Sequence, residues 1–167
     1  LYITAKGERD PYGVLDVGLG AGGRLVFRDV RRLGTVQLLR PGRWATYSAR
    51  IGPEPLEKGF TADTLGRALH SGRLAVKKAL MDQRRLAGVG NIYANEALWL
   101  ARIDPSRPAH GLTRADVVRL HRAVVGVLRR AVAGRGTTVR DYRTGTGEPG
   151  TFQGRLAVYG RAGEPCL

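Results

Sequence analysis

The sequence predicts an α+β protein in which a set of antiparallel strands precedes a helical region. Two observations carry this. Apolar residues alternate with period two up to about Leu39 and recur at helical spacing after the Pro-rich link Gly52-Pro53-Glu54-Pro55. In addition, 43% of the 167 residues are hydrophobic, enough for a genuine core in one mid-sized domain or two small ones.

The N-terminal elements read as short β segments. Leu1-Tyr2-Ile3-Thr4 reads as the middle of a strand, and Val14-Leu15-Asp16-Val17-Gly18-Leu19 is a second. A Gly-rich turn at Gly20 to Gly23 leads into Leu25-Val26-Phe27, and Thr35-Val36-Gln37-Leu38-Leu39 completes the set, as the edge of an antiparallel sheet. Beyond the link, Thr61 and Asp63 signal a helix start running to about His70. Further helices are expected over about Ala75–Gln83 and Asn91–Ala101. A long one runs from Thr113 to about Ala133, with Asp116 at N3 of a capping-box-like start and Val117, Leu120, Val124 and Leu128 at helical spacing. Past Gly134 the chain turns Gly/Thr/Arg-rich, and Leu156-Ala157-Val158-Tyr159 reads as a last strand.

Charge narrows the class of partner. There are 28 Lys+Arg against 14 Asp+Glu, a formal charge of +14 and a pI near 11.1; only four of the cations are lysines and 24 are arginines. Arginine's planar fork suits bidentate phosphate contact, so a polyanion is the natural partner. No run of about 18 apolar residues occurs, so no membrane span is expected. No secretory signal is recognisable, and a start without Met suggests an internal fragment. The single cysteine, Cys166, excludes an intrachain disulfide and suits a reducing cytoplasm.

The most informative stretch runs from Leu80 to Glu96. An apolar helical pattern is broken by Gly88-Val89-Gly90 and restarts at Asn91, so two short helices meet at a tight turn. Two glycines let the main chain approach an anion, and the free N–H groups opening the next helix point at whatever docks there. Standing alone, such a turn reads by default as a plain structural helix-helix corner.

Three blocks together resemble a known family. These are Phe27-Arg28-Asp29-Val30-Arg31-Arg32-Leu33-Gly34, then Lys77 through Glu96, then Phe152-Gln153 with Val158-Tyr159-Gly160-Arg161-Ala162-Gly163-Glu164-Pro165-Cys166. In order and approximate spacing they resemble the C-terminal two-thirds of formamidopyrimidine-DNA glycosylase, a bacterial base-excision repair family of the helix-two-turns-helix type. The ending favours this branch over endonuclease VIII, its sister branch.

The resemblance implies residues 1–51 as the C-terminal part of a β-sandwich catalytic domain and 52–150 as the helix-two-turns-helix domain. A lesion-capping loop at about 134–150 and the start of a zinc-finger hairpin over 151–167 complete the implied layout. It also implies a reaction, performed on double-stranded DNA containing oxidised purines such as 8-oxoguanine, or abasic sites. The damaged base is extruded from the duplex. An N-terminal proline amine attacks C1′, and the Schiff base permits β- and δ-elimination, making the enzyme both a DNA glycosylase and an abasic-site lyase. The nucleophile, its glutamate and a helper lysine would lie upstream of Leu1, so Pro11 is not given that role and the chain alone is expected to be inactive.

Site residues carry over position by position. Arg31 matches the arginine that fills the gap left by the flipped base, Arg32 a backbone contact beside it, and Leu33 a wedge where relatives mostly place phenylalanine. Asn91 matches the asparagine that binds phosphate near the lesion, with Gly88 and Gly90 shaping its turn. Lys77, Arg73 and Tyr159 match phosphate contacts, while Thr137 and Thr138 fall in the capping loop, whose Gly145, Gly147, Pro149 and Gly150 fit a mobile lid. Asp10-Pro11-Tyr12 stands where relatives place a DNA-contacting histidine, and an acid there argues against a site. Glu96 reads as structural, because an acid has little reason to meet DNA. Cys166 matches the first ligand of a four-cysteine zinc finger whose other ligands are not in this chain. The implied protein is a monomeric, cytoplasmic, nucleoid-associated bacterial enzyme. A non-catalytic nucleic-acid-binding module, like the helix-two-turns-helix of a ribosomal protein, is the alternative. The apolar faces near Val14 to Leu39 lead us to expect an aggregation-prone or disordered N-terminal half beside a stable helical half.

Overall fold

The strands and helices follow one another as the change of period requires. The computed structural model describes residues 1–5, 9–70, 72–138 and 148–165. The chain divides into two units, one of Leu1–Leu39 with Ala131–Arg155 and the other of Arg40–Arg130 with Leu156–Leu167.

In the first unit, β1 (Tyr2–Ala5), β2 (Gly13–Gly18) and β3 (Gly23–Arg28) form an antiparallel sheet of order β1-β3-β2. Tyr2 pairs with Val26 and Ala5 with Gly23, while Leu15 pairs with Phe27 and Gly18 with Arg24. The β2–β3 connection is closed by the Leu19 N–H on the Gly23 carbonyl, 2.7 Å. Only Val26 is fully buried among the strand residues whose burial is described, and β2 is exposed along its whole length. Asp10 has a structural task here. Its carboxylate accepts hydrogen bonds from the Tyr2 hydroxyl and the Tyr12 N–H, each 2.8 Å, and pairs with Arg28 at 3.1 Å. Burial pushes its pKa up, but these hydrogen bonds and Arg28 outweigh burial and hold it below its ordinary value.

The fourth expected strand is absent. Residues 35–39 carry alternating apolar residues but pair with no edge, and Leu38 is 99% exposed. A strand needs a partner to satisfy its N–H and C=O groups, and periodicity alone supplies none.

The second unit is helical: α1 (Trp44–Ser48), α2 (Ala62–His70), α3 (Val76–Met81), α4 (Asn91–Ala101) and α5 (Arg114–Ala133), whose last turn belongs to the first unit. Thr61 opens α2 by accepting the Thr64 N–H at 3.2 Å. Leu65 and Leu69 of α2, Val76 and Leu80 of α3, Ala94 and Leu98 of α4, and Leu120 and Val124 of α5 form the core. The start of α5 is a reciprocal box: Thr113 N–H donates to Asp116 Oδ2 at 2.9 Å and Asp116 N–H donates to Thr113 Oγ1 at 3.2 Å. The Thr113 backbone N–H first, then its hydroxyl and Arg119, outweigh desolvation and lower the Asp116 pKa from 3.8 to about 2. Among the described residues, no helix is long and apolar enough to cross a membrane.

Candidate nucleic-acid interface

The loop between α3 and α4 is folded around one side chain. Gln83 Oε1 accepts the Gly88 N–H at 2.9 Å, while its Nε2 donates to the Val89 carbonyl at 2.9 Å and the Met81 carbonyl at 3.1 Å. Leu86 and Val89 are buried beneath, so the loop is pinned from inside. Nothing in the sequence flags the role of Gln83, since one polar residue at the end of an expected helix has no diagnostic spacing; the helix in fact ends at Met81 and leaves Gln83 in the loop.

The two glycines differ. Gly88 adopts φ +71°, which a side chain would strain. Gly90 is extended at φ −109°, ψ −174°, and a Cβ there would meet nothing within 4 Å. It is the N-cap of α4 and, as a glycine, supplies no side-chain cap to the opening turn of the helix. Asn91 is the first residue of α4 and its side chain is exposed. A helix N-terminus whose N-cap carries no side-chain acceptor is suited to an oxyanion.

Glu96, on the same helix, is 4% exposed and accepts three consecutive backbone N–H groups: Ala157 at 2.8 Å, Val158 at 3.0 Å and Tyr159 at 2.9 Å. The expected strand over Leu156–Tyr159 is therefore replaced by a turn, because three successive amides that converge on one carboxylate cannot alternate along a ladder. Tyr159 is fastened to α4 by its backbone and half-buried. The structural reading of Glu96 fits this contact, whose partners are three backbone amides. Elsewhere in this unit Lys77 is half-buried on α3 and Arg73 is exposed ahead of it.

In the first unit, Arg31, Arg32 and Leu33 occupy an exposed turn after β3, with Leu33 75% exposed. Arg32 has φ +53°, and its N–H donates to the Asp29 carbonyl at 3.3 Å. Thr137 is buried. Thr138 Oγ1 accepts the Gly150 N–H at 2.8 Å, and its own N–H donates to Gln153 Oε1 at 3.3 Å. In this conformation Thr138 closes the stem of the loop. Gly145, Gly147 and most of the loop lie outside the described residues, as does Cys166.

A structural zinc site needs four soft ligands. The sequence holds one cysteine, and among the described residues no group of three or more His, Cys, Asp or Glu side chains is placed to hold a metal. The 167 residues supply one of the four cysteines that the implied finger requires.

Two helices joined by a glutamine-pinned, glycine-broken loop, the second opening on a glycine N-cap, define a helix-two-turns-helix protein. The H2TH domain of formamidopyrimidine-DNA glycosylases matches residues 51–143. The formamidopyrimidine-DNA glycosylase of Desulfitobacterium hafniense (strain DSM 10664 / DCB-2) is 49% identical over 146 residues, covering 86% of this chain and 54% of the relative. That of Paracoccus denitrificans is 48% identical over 145 residues, 87% and 52% respectively. The crystal structure of the MutM (Fpg) protein from Thermus thermophilus superposes with a TM-score of 0.85 at 43% identity, covering 95% of this chain and 61% of that one. A Lactococcus lactis Fpg in complex with DNA containing an abasic site gives 0.86 at 32% identity, covering 99% and 61%. The chain belongs to the formamidopyrimidine-DNA glycosylase family and spans about half the length of these curated relatives.

Proposed function

We propose that this chain supplies the DNA-holding part of a bifunctional glycosylase and abasic-site lyase that removes oxidised purines from duplex DNA. The observation that carries the reading is the Gly88–Asn91 turn: a pinned loop, open space at Gly90 and an α4 start without a side-chain cap, in a chain of charge +14. A backbone phosphate seated there accepts from the first α4 amides and from Asn91, while Lys77, Arg73 and Tyr159 take neighbouring phosphates. On the exposed turn after β3, Leu33 inserts between bases and Arg31 occupies the gap left by the extruded one, with Arg32 on the backbone. Thr137, Thr138 and the loop to 150 cap the extruded base once the stem contacts open. The assigned domains are 1–51 for the β domain, 52–150 for the helix-two-turns-helix domain and 151–167 for the start of the finger. In the whole enzyme a proline amine outside this chain forms the Schiff base.

The 167-residue polypeptide should therefore bind duplex DNA without cutting it. Fluorescence anisotropy with a duplex carrying an abasic-site analogue tests the first part. Affinity should fall steeply between 50 and 200 mM salt, by about 10² or more if some five phosphates are engaged. Asn91→Ala should weaken it roughly tenfold, as expected for loss of a hydrogen bond to a charged group. Salt-independent binding, or equal affinity for Asn91→Ala, would count against the turn as the grip. Covalent capture of the chain on lesion DNA by borohydride would overturn the second part.

A further inference from the structure

The Arg31–Gly34 turn projects its side chains into solvent without a core beneath them, yet it contains a left-handed non-glycine residue. Arg32 at φ +53° carries a conformational cost, which persists only where surrounding contacts determine it. Asp29 provides such contacts. Its Oδ2 accepts the Gly34 N–H at 2.6 Å, and its main-chain carbonyl accepts the Arg32 N–H at 3.3 Å. The residue is tied back to the strands, since its own N–H donates to the Tyr12 carbonyl at 3.0 Å.

The Gly34 N–H first, with those of Leu33, Arg31 and Arg32, holds the Asp29 carboxyl below its ordinary pKa despite partial desolvation, so an anion faces the inside of the turn at neutral pH. Gly34 completes the fit: a Cβ there would lie 2.7 Å from Phe27 Cζ and 2.9 Å from Asp29 Oδ2, so the carboxylate and ring would have to move apart.

We propose that Asp29 is a positioning residue for DNA distortion: by holding the Gly34 N–H on its carboxylate and the Arg32 N–H on its carbonyl it fixes Leu33 and Arg31 in the outward pose that enters the base stack. This rests on the DNA-holding function proposed above. Asp29 itself points inward and need not touch the nucleic acid. What it supplies is order in advance, because a mobile turn would lose the entropy of three side chains at the moment of insertion. An exposed acid among arginines otherwise opposes DNA binding, whereas one committed to backbone amides presents less charge outward.

A double-mutant cycle tests this in the 167-residue chain. The probe is a duplex with 2-aminopurine beside a tetrahydrofuran abasic analogue, read both for affinity and for the rise in emission as the base unstacks. Asp29→Asn should weaken binding roughly fivefold and remove most of the emission rise, with an unchanged melting temperature; Leu33→Ala should do the same, and the double variant should lose clearly less than the product of the two single losses, what remains being the share of Arg31. Gly34→Ala, which disturbs the same contact from the other side, should reproduce Asp29→Asn and carries the test if that variant does not fold. Losses that multiply in the double variant would overturn the proposal, as would full emission with Asp29→Asn. A wild-type chain that does not bind the duplex removes the underlying function and this inference together, whereas wild-type binding with an inert Asp29→Asn removes the inference only.

Discussion

Gly88 and Gly90 stand two residues apart and do different work. With φ +71°, Gly88 cannot accept a side chain without strain, so Gly88→Ala should lower stability by about 1–2 kcal/mol in urea denaturation. Gly90→Ala should leave stability within about 0.5 kcal/mol, since its Cβ meets nothing, while weakening DNA binding by narrowing the approach to the α4 amides. Asp116 gives a pH prediction with a definite sign. Its folded pKa of about 2 lies below the ordinary 3.8, so its contribution to stability is present above about pH 4 and is lost as pH falls through about 2. Asp116→Asn should therefore melt lower than wild type at pH 7, and the difference should shrink toward pH 2. A constant difference over that window would assign the effect to packing.

At the scale of elements, helix α4 organises two stretches at once, the loop before it and the segment 157–159. Removing the Glu96 carboxylate strands the three amides that donate to it. Glu96→Ala should cost about 1–3 kcal/mol, with the amides of Ala157, Val158 and Tyr159 losing hydrogen-exchange protection before the rest of the unit. Helices were the most legible elements. Asn91–Ala101 falls at its expected bounds, and the Thr113/Asp116 start is the box its spacing announces. Strand signals misled where pairing depends on something outside the segment. Residues 35–39 have no partner edge, and the amides of 157–159 turn toward a carboxylate some sixty residues earlier in the chain. Gln83 was invisible for the same reason: its role exists only once Gly88 and Val89 have come round to its two ends.

On the whole-molecule scale the two units differ in how they bury apolar surface. The helical unit encloses leucines and valines from four helices, whereas the strands leave Ile3, Val14, Leu15 and Val17 exposed. Hydrogen exchange should accordingly show slower exchange in α3 and α4 than in β1 and β2; equal protection would contradict the burial pattern. The +14 charge was plain from composition and pointed to a polyanion, but it could not indicate which arginines stand free for one. The fold distinguishes them: Arg119 and Arg107 are committed to Asp116 and Arg28 to Asp10, while Arg31 and Arg32 stand on an exposed turn.

The cradle around Glu96 has a consequence for chemical rescue. Three converging amides bind a carboxylate because of its shape and charge, whether or not it is attached to the helix. Truncation to Glu96→Gly vacates that spot together with the space of the two methylenes leading to it, and millimolar formate, small enough to enter, should refill the amide cradle. The rise in melting temperature should saturate with formate, and chloride at equal ionic strength should give less, since a sphere cannot offer two oxygens to three donors.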